Sequence, residues 1–222
     1  MASIGTPSRP GDRLQSATMV NASDEGGRST FRARLGAWAF RQRSWLPVPL
    51  ALVLVFVHRA EVRAAWPLVL GPALVILGQA LRLRAVRHIG TVSRTRAIRL
   101  GPLVTDGPYA VLRNPLYVGN WLLWTGFTIW SALLWMLPIV WIIFAVQYGA
   151  ITRWEEERLQ LHFGSSYAAY TRTVPRWRPR WSAWSQALTS AASHPWREVV
   201  FSERGTLLAV TVMSILLLIK QR

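Results

Sequence analysis

Long apolar runs separated by arginine-rich connections constrain this chain more than any other feature. Leu133–Ile151 contains no charged side chain, and Trp66–Leu83 contains none before Arg82. Each is close to the roughly 20 residues of helix that a bilayer core requires. Trp45–Val57 and Leu116–Trp130 are shorter runs of the same kind, and Gly205–Ile219 is either a short fifth span or a helix packed on the others. Lipid offers no partner to a backbone N–H or C=O, so such segments satisfy their polar groups internally, as helices. The expected fold class is all-α, a polytopic integral membrane bundle of about five transmembrane helices.

The 222 residues suffice for one domain. Residues 1–35 are polar and basic, with little apolar content, and are expected to be a disordered tail. Residues 36–222 are expected to form a single membrane domain. The net charge of +16 is carried almost wholly by arginine, Lys220 being the sole lysine. These arginines lie between the apolar runs and not on one soluble face, so membrane topology explains them better than nucleic acid does. Arg82, Arg84, Arg87, Arg94, Arg96 and Arg99 follow the second run, and residues 152–180 are basic again. The positive-inside rule puts both stretches on the cytoplasmic side. The absence of Cys excludes disulfides, thiolate metal sites and cysteine nucleophiles. His58, His88, His162 and His194 are scattered without metal-ligand spacing, and no metal is expected.

Within the runs, Gly71 and Gly78 allow close helix contact. Pro138 is expected to kink its helix and so open a cavity. Trp181, Trp184 and Leu188 fall at helical spacing on one side of a polar segment, which suggests a helix lying in the membrane interface.

Two polar constellations interrupt this pattern. In Leu103–Asn120, LVTDGPYAVLRNPLYVGN, Asp106-Gly107-Pro108 breaks any helix and Pro115 stands where the next one starts. Arg113 and Asn114 then precede a helix N-terminus and Tyr117 lies just inside it. Unpaired N–H groups and the positive dipole end there suit an anionic group. The second constellation is Glu155 to Glu157, which holds three of the ten acidic residues. Gly164 is placed to end that helix. Tyr167, Tyr170 and Val174-Pro175-Arg176 follow. A carboxylate pair at a membrane surface suits a cationic ligand group, although a solvated helix face is the plainer alternative.

GPYAVLRNPLYVGN, followed at a distance by EExxLxxxFGxxYxxY from Glu155 to Tyr170 and then VPR, resembles the isoprenylcysteine carboxyl methyltransferase family, which borders the membrane phospholipid N-methyltransferases. The similarity covers roughly residues 77–180. It implies S-adenosyl-L-methionine held without a Rossmann domain, which agrees with the lack of any GxGxxG motif. It further implies a cofactor site at the cytoplasmic face built from Val104, Gly107, Tyr109, Arg113, Asn114, Pro115, Tyr117, Glu155 and Glu156. The expected acceptor is a lipid or prenylated molecule entering from the bilayer, with Trp121, Arg172 and Arg176 as candidate contacts. The family's Arg-His-Pro reads Arg113-Asn114-Pro115 here, and an amide cannot serve as a base. A carboxylate acceptor is ionised near neutral pH and needs none, whereas a lipid ammonium has to lose a proton first. Carboxyl O-methylation is the expected reaction. The alternatives are a phospholipid N-methyltransferase, an NADPH-dependent sterol-type reductase, against which the glutamate pair argues, and a non-catalytic membrane protein.

Overall fold

The computed structural model describes residues 34–43, 45, 47–57, 64–90 and 101–221. The described residues are helical, with no strand. Residues 34–42 form α1. Then follow α2 (Pro47–Phe56), α3 (Trp66–Ile89), the short α4 (Pro108–Val111), α5 (Pro115–Trp130), α6 (Leu137–Phe163), α7 (Ser165–Thr173), α8 (Trp184–Thr189) and α9 (Trp196–Lys220). Residues 1–33 of the expected disordered tail, His58, and the arginines Arg94, Arg96 and Arg99 lie outside the described residues, while residues 34 and 35 begin α1.

Three helical segments are long and apolar enough to cross a membrane: Trp66–Ile89, Leu134–Phe163 and Trp196–Lys220. The expectation of about five spans meets two shorter helices. At 1.5 Å per residue the 10-residue α2 is about 15 Å long and the 16-residue α5 about 24 Å. The helix that carries the last apolar run is longer than Gly205–Ile219, because α9 begins at Trp196 and takes in the polar turns before it. The fourth apolar run ends at Ile151, but its helix does not. α6 continues unbroken to Phe163, so the glutamates share one rod with the apolar segment. Pro138 sits in the first turn of α6, where a missing N–H interrupts no bond, and the expected mid-helix kink has no cause there.

The packing centre is the antiparallel pair α3 and α5. A Cβ added to Gly78 would lie 2.6 Å from the Gly119 carbonyl oxygen, and one added to Gly126 would lie 2.7 Å from that of Gly71. Two glycines seven residues apart on each helix therefore form one seam along which the backbones touch. Such close approach strengthens the dispersion contacts that hold helices together where water supplies no driving force. Gly71 and Gly78 were legible as contact points, and Gly119 and Gly126 are their partners.

Around the seam, Val75, Leu123, Phe127, Val140, Phe144 and Leu217 belong to one buried cluster. At one end of the bundle Lys220 Nζ donates to the Leu54 carbonyl of α2 at 2.7 Å. Trp130 Nε1 donates to Gln221 at 3.2 Å beside it. At the other end the C-terminus of α3, the N-termini of α5 and α9 and the polar part of α6 converge. The segment Trp181–Thr189 buries Ala183 and Ala187 and turns Trp181, Trp184 and Leu188 outward. This is the one-sided pattern read from the sequence.

Candidate functional site

The chain reaches the polar end through Gly107, whose φ of 56° is a left-handed value that favours glycine. A Cβ there would also lie 2.4 Å from the buried His88 ring. Pro108 then opens α4, and Pro115 opens α5 behind the N-cap Asn114. Between those two helices the chain is pinned to the VPR tail. The Arg113 N–H donates to the Pro175 carbonyl at 3.0 Å, Asn114 Nδ2 to the Arg176 carbonyl at 3.3 Å, and the Arg180 N–H to the Val111 carbonyl at 2.9 Å. Asn114 is thus a tether between two motifs some 60 residues apart.

These pins bring three charged side chains together. Glu156 lies 3.2 Å from Arg113 Nη1 and accepts both Nε and Nη2 of Arg176, the first at 2.9 Å. Planar forks of this kind suit a guanidinium better than an ammonium. Hydrogen bonding to Glu156 raises the Arg176 pKa above its ordinary value. Arg113 and Glu156 are enclosed, with side chains 15% and 13% exposed, whereas Arg176 is 36% exposed. Tyr167 lies beside this cluster, and burial pushes its hydroxyl up to about 12. Tyr170 donates to the Tyr109 carbonyl at 2.8 Å, which locks α7 against α4. Burial likewise raises the pKa of Tyr109 and Tyr170, so both remain neutral donors at physiological pH.

Glu155 faces another way. It accepts the Tyr117 hydroxyl at 2.8 Å, and the Tyr117 ring stacks on Tyr148 with centroids 4.6 Å apart. Tyr117 and Tyr148 also line a half-open cavity of about 610 Å³ to which α1, α2, α3, α5, α6 and α9 contribute. One wall is apolar, with Val48, Ala51, Leu123, Phe127, Val210 and Met213. The other carries Arg82, Asn120, Tyr148 and Glu203 in a hydrogen-bonded chain. Arg82 donates to Asn120 at 2.5 Å and to Glu203 at 2.7 Å, and Asn120 donates to Tyr148 at 3.0 Å.

Of the sequence-derived candidates, Tyr109, Arg113, Asn114, Pro115, Tyr117, Glu155 and Glu156 converge at this end, with Gly107 buried beside them. Val104 lies on the extended approach to Asp106. Arg176 joins Glu156. Trp121 is on the outer face of α5, its ring 5.6 Å from that of Trp141, and lines no part of the cavity. Trp124 lines it instead. Arg172 is exposed on α7, apart from the cluster. Arg82, Asn120, Tyr148 and Glu203 were not singled out from sequence. The signal for two of them was present, because a charge inside an apolar helix marks function by default.

Three membrane-length apolar helices, with an arginine–glutamate centre at one end and an amphipathic cavity beside it, define an integral membrane protein. Comparison with known proteins shows what the chain resembles. Residues 66–166 match the phospholipid methyltransferase family model, and part of the chain is similar to an isoprenylcysteine methyltransferase, as the motifs indicated. The protein-S-isoprenylcysteine O-methyltransferase B of Arabidopsis thaliana is 33% identical over 117 residues, covering 47% of this chain and 55% of the plant protein. A cobalt-zinc-cadmium resistance protein of Cupriavidus metallidurans is 28% identical over 152 residues, covering 68% of this chain and 66% of that one. A nickel-cobalt-cadmium resistance protein of Alcaligenes xylosoxydans xylosoxydans is 26% identical, also over 152 residues, covering 67% of its length. The chain therefore spans between about half and two thirds of these relatives. No solved structure matches it. Among the described residues no group of three His, Cys, Asp or Glu is placed to hold a metal ion.

Proposed function

We propose that this chain is an S-adenosylmethionine-dependent membrane methyltransferase that methylates a carboxylate on a lipid or prenyl-type acceptor. The observation that carries this reading is Tyr117, whose ring lines the amphipathic cavity while its hydroxyl bonds Glu155 beside the arginine–glutamate cluster. A polar site and a lipid-sized chamber meet at one side chain.

The donor set fits the cofactor. Arg113 Nε and the Tyr109 hydroxyl are buried without a hydrogen-bond partner, which leaves donors for a carboxylate or hydroxyl group. Glu155 and Glu156 supply negative charge for an ammonium or sulfonium. Arg113, Glu155, Glu156, Tyr109 and Tyr117 would hold the cofactor, with Val104, Gly107, Asn114 and Pro115 forming its backbone surroundings. When bound, the cofactor supplies an activated methyl group. The work left to the protein is alignment and exclusion of water, which together account for much of such an acceleration. An ionised carboxylate acceptor needs no base, and the Asn114 amide, engaged with the Arg176 carbonyl, provides none. The cofactor end is read as facing the cytoplasm, on the strength of the arginines around it.

The family match favours a second reading, methylation of a phospholipid amine, in which Tyr117 and Glu155 would take the proton an ammonium has to lose. A methylation assay with labelled cofactor separates the two. Prenylcysteine analogues and fatty acids should yield base-labile methyl esters, which release methanol in alkali. Stable N-methyl product from lipid extract would favour the second reading, and turnover confined to water-soluble carboxylates and amines would reject a lipidic acceptor.

A further inference from the structure

Arg82 lies in the apolar helix α3, is 8% exposed and lines the cavity. A guanidinium there is costly unless every donor is engaged. Its Nη1 donates to Asn120, and its Nη2 donates to Glu203 at 2.7 Å and to Thr206 at 3.4 Å. Its Nε is buried with no partner. Glu203 belongs to α9, beyond the residues that match the methyltransferase family. The charged lining residues are Arg41, Arg43 and Arg82 against Glu203, an excess of positive charge in a chamber whose opposite wall is apolar. A volume of about 610 Å³ is that of a site for one small ligand, which suits a single apolar chain with a compact head.

We propose that Arg82, held by Asn120 and by Glu203 of the C-terminal helix, determines acceptor specificity by reading the charge of an amphiphile's polar end and selecting an anionic one. The edge of the guanidinium that lines the cavity is what the anion meets. Carboxylate and phosphate share this chemistry, whereas an ammonium would meet three arginines. The inference rests on the reading of the cavity as the acceptor site, and it adds the residues that choose among acceptors.

The test is a binding measurement independent of methylation. The protein in discs of zwitterionic lipid is loaded with a fluorescent single-chain probe. The probe is then displaced by chain-matched ligands ending in carboxylate, phosphate, alcohol or amine. In the wild type the two anions should displace it at concentrations roughly ten- to hundredfold below the alcohol, the scale of one charge-assisted hydrogen bond, and the amine should be weakest. Arg82→Gln should bring the anions down to the alcohol without changing the alcohol itself. Glu203→Gln, which removes the competing carboxylate, should tighten the anions. Equal displacement by anion and alcohol in the wild type overturns the proposal, with no variant needed. A ranking unchanged in both variants overturns it too. If no chain displaces the probe while S-adenosylhomocysteine still binds, the lipidic acceptor itself is wrong and not merely the role of Arg82.

Discussion

Glu156→Gln isolates the charge on which the polar centre depends. The substitution preserves shape and one acceptor oxygen but turns an amide NH₂ towards guanidinium groups that carry donors alone. Two arginines lose their counter-charge: Arg113, at 3.2 Å and well enclosed, and Arg176, which is 36% exposed. A hydrogen bond to a charged group contributes about 1.5–3 kcal/mol, and the Arg176 share is discounted because solvent screens it. The expected stability loss is therefore about 1–2 kcal/mol, a few degrees in Tm, and the helices should stay assembled around the glycine seam. Cofactor binding should suffer more, because Arg113 would be left both unpaired and free to reorient. A ten- to hundredfold weaker affinity for S-adenosylhomocysteine is expected by calorimetric titration of the solubilised protein, with thermal unfolding followed in parallel. Glu157→Gln, one residue along on the exposed side of α6, should change neither. Unchanged affinity in Glu156→Gln would refute the reasoning and move the cofactor site elsewhere.

Gly78→Val should destabilise the bundle by about 1–3 kcal/mol through overpacking, since its Cβ would sit 2.6 Å from the Gly119 carbonyl oxygen; a shift in thermal unfolding checks this, and a neutral result would deny the seam. Tyr170→Phe leaves the buried Tyr109 carbonyl without its 2.8 Å donor and should cost about 1–3 kcal/mol, seen as earlier proteolysis of the segment after Phe163. Single cysteines placed at Asp106 and Ser165 in this Cys-free chain should resist labelling from outside intact cells, and strong external labelling at either would reverse the topology.

Local rules made the elements legible and left their partners unread. Pro115 and Gly164 bounded α5 and α6 as backbone chemistry requires, and the order of the two motifs led to the methyltransferase kinship. The sequence could not show that Arg176 would face Glu156, because that contact depends on Arg113 and Asn114 gripping the backbone at Pro175 and Arg176. Trp121 was a plausible wall residue by composition, yet it lies one turn from Trp124 and Tyr117 on a helix only partly lined by the chamber, and the rotation that decides between them is set by Gly119 and Gly126 against α3. The end of α6 at Gly164 was legible, but its continuity with the apolar run was not. Hydropathy ends at Ile151, while helical hydrogen bonding continues to Phe163. Arg82 read as the start of a basic connection because its partner stands 121 residues later.

The glycine seam also bears on how a greasy molecule could come and go. Backbones in direct contact leave no slit between α3 and α5, so that side of the chamber is a closed wall. The short α2 packs on the long α9 and is fastened to it at the far end, where Lys220 donates to the Leu54 carbonyl of α2. A molecule that reaches the chamber from the bilayer therefore cannot pass between α3 and α5, whose contact is fixed by backbone and not by side chains that could swing aside.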